Sequence, residues 1–247
     1  MDTNTWVFNF SGIYDYESFY LEDKGSFHVL DMKGISGTNC MCDDEAVAEI
    51  QRIIEEEKIP PGGIRFIDSG NYHYMSAILA KQVKEPFSLV VLDHHPDMQP
   101  PMFGDILSCG GWVKEVLDKN EFVRDVHIIG ADRELIEKLE EEDRKRAFFY
   151  DIQDVFKDGI MLPNTGYPVY LSIDKDVVTG DELVTNWDQG EMETAQLCLF
   201  VKEILAKRNV IAVDICGECA TDQEGCDIDE AIDQNDSLNK ALLECAK

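Results

Sequence analysis

Six short apolar runs, rich in β-branched and aromatic residues, punctuate the chain at residues 6–10, 64–68, 87–93, 126–130, 167–174 and 210–215. Each reads as a strand. Between them, stretches at 43–57, 74–83, 112–118, 132–146, 191–207 and 228–246 read as helices. In the first of these, Ala46, Ala48, Ile50, Ile53 and Ile54 form one face, and Asp43 and Asp44 suit its N-terminus. Strands with little polar alternation, linked by helices, predict an α/β fold: a mostly parallel sheet between two helical layers. The loops at 60–63 and 162–166 are too short to link domains, so residues 1–247 are expected to form one domain.

In such sheets the working crevice lies outside the carboxyl ends of the strands. Here those ends carry chemistry. The run Leu89-Val90-Val91-Leu92 opens into Asp93-His94-His95-Pro96-Asp97. The strand at 64–68 leads to Gly70-Asn71-Tyr72-His73, and that at 167–174 ends in Ser172-Ile173-Asp174-Lys175-Asp176. Residues two apart on an extended chain point the same way. Asp93, His95 and Asp97 are therefore expected on one side, as are Asp174 and Asp176, with His94 and Lys175 turned away. An unpaired carboxylate at the mouth of a buried strand is costly to desolvate, and a metal cation is the simplest counter-charge. Four carboxylates and two imidazoles (His73, Asp93, His95, Asp97, Asp174 and Asp176) exceed the needs of one ion and suit two that share ligands. Mixed oxygen and imidazole donors fit Mn²⁺, with Fe, Co or Zn as other occupants.

Composition narrows the alternatives. Lys and Arg number 22 against 50 Asp and Glu, a formal charge of −28. Such a surface repels nucleic acid and anionic membranes; it serves solubility and favours a cationic small molecule or peptide as substrate. No run approaches the roughly 20 apolar residues of a spanning helix. Residues 1–5 show neither a basic nor a long apolar region, so no signal peptide is expected and the cytoplasm is the expected compartment. Eight cysteines in that setting are expected as free thiols. Cys216-Gly217-Glu218-Cys219 lacks the second pair that a structural zinc site needs. Cys40 and Cys42 read as ordinary thiols, and Trp187 as a packing residue.

The motifs carry a family resemblance. Asp93-His94-His95-Pro96-Asp97 resembles the DxHxD motif of the arginase–agmatinase ureohydrolases, Ser172-Ile173-Asp174-Lys175-Asp176 their SxDxD motif, and Gly70-Asn71-Tyr72-His73 a degraded GGDH motif. The agreement in order and spacing runs from about residue 64 to residue 218. The resemblance implies a three-layer α/β/α arginase-like fold and a binuclear manganese centre. It implies that His73, Asp93, Asp97 and Asp174 hold one ion, and Asp93, His95, Asp174 and Asp176 the other. Asp97 would be catalytic, orienting the attacking water. Substrate contacts would fall to Asp105 and Glu218. The implied reaction is hydrolysis of a C–N bond in a guanidino or amidino group, with arginine within a peptide as one candidate.

The departures lie on the substrate side. Stretch 105–110 has no His where arginases carry a proton shuttle. The position of the guanidinium-binding Glu, three residues after Asp214, is Gly217, and Glu218 stands one place late. The DP pair after the SxDxD motif is replaced by Val177-Val178-Thr179-Gly180. Two other readings stay open: a non-catalytic metal-binding scaffold, and a deacetylase-like amide hydrolase with a single zinc.

Overall fold

The computed structural model describes residues 5–21 and 25–246. The N-terminal stretch read above for a leader therefore lies, Thr5 apart, outside the described residues. The strands are β1 (Thr5–Asn9), β2 (Phe27–Asp31), β3 (Met41–Cys42), β4 (Gly63–Phe66), β5 (Phe87–Leu92), β6 (Leu107–Ser108), β7 (Val123–Ile129), β8 (Phe148–Tyr150), β9 (Val169–Asp174) and β10 (Val210–Cys216). Eight of them form one sheet in the order β2-β1-β4-β10-β9-β5-β7-β8. Every pairing in it is parallel. β3 and β6 make a separate antiparallel pair.

Alternation along the strands splits the core in two. Trp6, Phe8, Leu89, Val91, Val126 and Ile128 face one side. There they meet Ile50 and Ile54 of α1 (Asp44–Glu56), Ile78 of α2 (Met75–Ala80) and Val113 and Val116 of α3 (Trp112–Lys119). Val7, Val90, Leu92, Leu171, Ile173, Val213 and Ile215 face the other side. After two short helices, α4 (Arg133–Glu137) and α5 (Glu141–Arg144), that bury no residue, three helices cover that face: α6 (Ile152–Phe156), α7 (Thr194–Lys207) and α8 (Ile228–Cys245). Val155 of α6, Leu197, Phe200, Val201 and Ile204 of α7, and Leu238 and Leu242 of α8 pack onto it. The result is the expected three-layer α/β/α arrangement. Among the described residues, no helix is long and apolar enough to cross a membrane.

The central strands are where the pattern predicts them, because both their faces are buried. The single helix expected over 132–146 is two short helices, α4 and α5. Neither buries a residue, so no packing holds the acidic stretch 140–143 in line with α4. β2 and β8 sit at the sheet edges with partly exposed side chains; β2 mixes His28 and Asp31 into its run, and β8 is only three residues long. Inside the sheet, Arg65 and Asp214 are paired in register, with Nε 2.6 Å from Oδ1, and both are fully buried. The Tyr170 hydroxyl donates to Asp214 Oδ2 at 2.6 Å. Asp214 is thereby paired within the sheet rather than at the pocket.

Candidate metal centre

The chemistry gathers at the carboxyl ends of four adjacent strands, β4, β10, β9 and β5. After β5 the chain does not continue extended. The His95 amide donates back to Asp93 Oδ1 at 2.6 Å, and Asp97 takes a left-handed φ of 49°. After β9, residues Lys175–Val177 form a 3₁₀ turn in which the Asp176 amide donates to Asp174 Oδ1 at 3.0 Å. The expected convergence is present, but tight turns produce it rather than strand alternation.

His73 follows the 3₁₀ turn Gly70–Tyr72. Its Nε2 is engaged by Ser172 Oγ at 2.9 Å, which leaves Nδ1 facing the cluster. Nδ1 lies 3.3 Å from Asp93 Oδ2, 3.3 Å from Asp97 Oδ2 and 3.2 Å from Asp174 Oδ2. On the other side of Asp93, His95 Nδ1 is 3.5 Å from Asp93 Oδ1 and 2.8 Å from Asp176 Oδ2. Asp93 thus offers one oxygen to each half. Ligand atoms of His73, Asp93 and Asp97 lie close enough to share one ion, and those of Asp93, His95 and Asp176 a second.

The donor set fits two divalent cations. His73 Nδ1 and Asp93 Oδ2 are buried and make no hydrogen bond, although they face each other. Such orphaned atoms are rare in a folded interior unless something else binds them. Without cations, protons take their place. Burial alone would lower the His73 imidazole, but Asp174, Asp93 and Asp97 outweigh it and hold it well above its ordinary value. His95, also opposed by burial, is pushed up to about 12 by Asp176 and Asp93. Burial, then the charge of Asp93, raises Asp97 to about 7. Burial, then Asp174 and Asp93, raises Asp176 well above the carboxylate range.

Around the ligands stand residues that the sequence did not single out. Trp112 Nε1 donates to Asp97 Oδ2 at 2.7 Å, and its ring packs 4.7 Å from that of His73. The buried carboxylate of Asp68, raised to about 6 by burial, accepts the amides of Phe10, Ser11 and Ser69 and the Ser11 hydroxyl. It ties the first loop to the end of β4. Ser172, inside the SxDxD motif, was within reach of sequence reasoning. Trp112 was not, because only the fold brings the start of α3 to Asp97.

A pocket of about 220 Å³ opens over the ligands, walled by Met41, Gln99, Pro100, Met102, Cys109 and Trp187 among others. Trp187 is 41% exposed, and its Nε1 donates to Asn71 Oδ1 at 3.0 Å. It stands at this mouth rather than stapling a helix to the sheet.

The two expected substrate contacts lie elsewhere. Asp105 is exposed and borders a separate cleft with Lys114 and Lys119. Glu218 is fully buried, with Oε1 2.6 Å from Lys175 Nζ and 2.9 Å from Asn239 Nδ2. A buried ammonium claims it, so it cannot also reach a ligand in the pocket. Nor can its neighbour: Gly217 has a φ of +96°, and a Cβ there would lie 2.3 Å from Asp174 Oδ1. His94 borders a different cleft, with Asp132 and Arg133.

No family model matches the sequence. An uncharacterized protein of Thermotoga maritima is 31% identical over 212 residues, which cover 86% of this chain and 78% of that protein; the two belong to one family. Among solved structures, formimidoylglutamase of Bacillus subtilis superposes with a TM-score of 0.67 at 14% identity, covering 98% of this chain and 86% of that one. Arginase of B. subtilis gives 0.65 at 14%, covering 98% of each. The chain has the fold of the arginases and agmatinases. A T. brucei arginase-like protein, a triple mutant bound with Mn²⁺, gives 0.61 at 16%, covering 99% of this chain and 91% of that one. In this arginase-fold chain the six candidate ligands cluster at the strand ends, and the acid expected after the last central strand is turned inward.

Proposed function

We propose that the chain is a metal-dependent hydrolase that cleaves a C–N bond of an amidino or guanidino group, with two manganese ions as its native metals. The observation that carries this reading is the double cluster of six ligands about Asp93. The named activities of the fold neighbours, formimidoylglutamase and arginase, support the reaction class, and the Mn²⁺-bound T. brucei protein supports the metal. Two divalent ions bound there supply ionised water near neutral pH and polarise the carbon under attack.

The chain's own groups do the rest. Trp112 fixes Oδ2 of Asp97, leaving Oδ1 to take a proton from the attacking water and return it to the departing nitrogen. Ser172 orients the His73 ring. Among the described residues that line the pocket, no Lys or Arg appears, and the charged groups are the candidate metal ligands and the acidic thiol of Cys40. No lysine or arginine thus lines it to pair with the α-carboxylate of a free amino acid. Met102 and Phe103 stand exposed beside the mouth. These features support an amidino group presented by a larger molecule, such as an arginine side chain within a peptide. All eight cysteines are free, which supports a reducing, cytoplasmic setting.

The test is urea or ammonia release by Mn²⁺-loaded protein from arginine, agmatine and arginine-containing peptides. The expectation is turnover favouring peptides, abolished by Asp97→Asn. A second reading, a metal-binding scaffold without activity, draws on the inward turn of Glu218. Bound Mn²⁺ with no turnover of any substrate would favour it.

A further inference from the structure

Two thiols that the chemistry above does not use stand at the mouth of the pocket. In the β3–β6 pair, Met41 lies opposite Ser108 and Cys42 opposite Leu107. One step further along the register brings Cys40 opposite Cys109, where the Cys109 amide donates to the Cys40 carbonyl at 2.9 Å. The two thiols also influence each other electrostatically, while the Cys40 thiol donates weakly to Asn39 Oδ1 at 3.9 Å. Both residues are half-buried, and both line the pocket.

We propose that Cys40 and Cys109 are a modification site, forming a reversible disulfide across the pocket mouth with a hydroperoxide as oxidant. The Cys40 thiolate attacks the peroxide; the O–O bond breaks, sulfur gains a hydroxyl, and the leaving oxygen takes up the thiol proton. The Cys109 sulfur then displaces that hydroxyl as water. Two thiols and one hydrogen peroxide become one disulfide and two waters.

The surroundings favour this pair over the other close one. The neighbouring Cys109 thiol, opposed by burial, lowers Cys40 to about 7, while Cys40 and burial push Cys109 up, which makes Cys40 the attacking sulfur of the pair. On the opposite face of the molecule, Cys245 of α8 donates to the Cys198 carbonyl of α7 at 3.5 Å, and burial pushes Cys198 up to about 11. A lower thiolate fraction, partly offset by greater nucleophilicity, makes that pair slower on the order of 100-fold.

The bridge would brace both sides of the rim. Cys109 begins the short turn Cys109–Gly111 that leads to Trp112, the donor to Asp97. On the other side, Asn39 Oδ1 accepts from Asn71 Nδ2, and Asn71 Oδ1 from Trp187 Nε1.

The test reads thiol chemistry and is independent of hydrolysis. The full chain is treated with equimolar hydrogen peroxide at pH 7, quenched by alkylation, and mapped by peptide mass. A Cys40–Cys109 disulfide should form first, be reversed by dithiothreitol, and form faster as pH rises through 7. The Cys109→Ser protein should stop at a dimedone-trappable sulfenic acid on Cys40, and Cys40→Ser should show neither product. Oxidation of Cys198–Cys245 or Cys42 ahead of this pair, over-oxidation of Cys40 without bridging, or no reaction at Cys40 would overturn the proposal.

Discussion

The floor and the rim of the pocket are built on different principles. Its floor is the six-ligand set at the ends of central parallel strands, each backbone held by neighbours on both sides. Every ligand there except His95 is buried. Loops make the rim, with half-exposed Trp187 and exposed Met102 among them. The floor gathers six candidate ligands; the rim has no Lys or Arg with which to grip the carboxylate of a free amino acid. On the proposed function, reaction type and substrate choice sit on separable parts of this fold, as loops on a rigid scaffold allow.

The largest effect that would sharpen this contrast is loss of a ligand. Asp174 faces His73 with Oδ2 and anchors the Asp176 amide with Oδ1. Asp174→Asn replaces an anionic donor with a neutral amide. Turnover should fall on the order of a thousandfold or more, since even partners behind the ligands cost 10–100-fold. Metal content measured after gel filtration should drop below two Mn²⁺ per chain. Two retained ions would remove Asp174 from the floor.

Next comes Trp112→Phe. It removes the 2.7 Å bond to Asp97 and little else from the packing around His73. Mn²⁺ affinity by calorimetry, or turnover, should fall about 10–100-fold, as for other partners that orient ligands. An unchanged affinity together with unchanged turnover would leave Asp97 positioned by the backbone alone.

The same division explains what the sequence shows and hides. Strand β5 is legible because burial on both faces leaves an unbroken apolar run. Asp93, His95, Asp97, Asp174 and Asp176 are legible because ligand-type residues follow such runs. Their turns are not: whether Asp97 is extended or left-handed depends on the Val113 amide, which donates to its carbonyl at 3.0 Å. Nor is the fate of Glu218, decided by Lys175 and by Asn239 on α8, two elements that meet it only after folding. Rim loops carry no periodicity, so Cys40 gives no sign along the chain that it faces Cys109.

A pH series tests the floor's electrostatics. Without metal, His73, His95, Asp97 and Asp176 all hold protons more tightly than their ordinary values would allow. A group whose value is raised in the folded state favours folding at low pH, and that contribution is lost as pH rises through the folded value. For Asp97 the loss is complete above about 7, and for His95 it runs from 6.5 up to about 12. Metal binding must displace these same protons, so Mn²⁺ affinity climbs with pH, by up to about tenfold per unit for each proton released. The melting-temperature gap between Mn²⁺-loaded and metal-free protein should widen from pH 6 to pH 8. A constant gap would mean that no proton leaves when metal binds.

The smallest expected effect addresses the rim itself. Trp187 stands 6.0 Å from the His95 ring in an edge-on arrangement, and its indole nitrogen is held by Asn71. Its side chain also rests against Gly70, where a Cβ would come within 2.6 Å of the indole. Trp187→Ala removes an aromatic wall without touching a ligand oxygen or nitrogen. Losing one partly exposed aromatic contact is worth about 1 kcal/mol, so KM for a peptide substrate should rise several-fold while kcat holds. Mn²⁺ affinity should stay within about twofold, far from the loss that ligand-orienting partners cause. A fall in metal affinity as large as that of Trp112→Phe would make the rim a support for the ions, and the separation of floor from rim would fail at this residue.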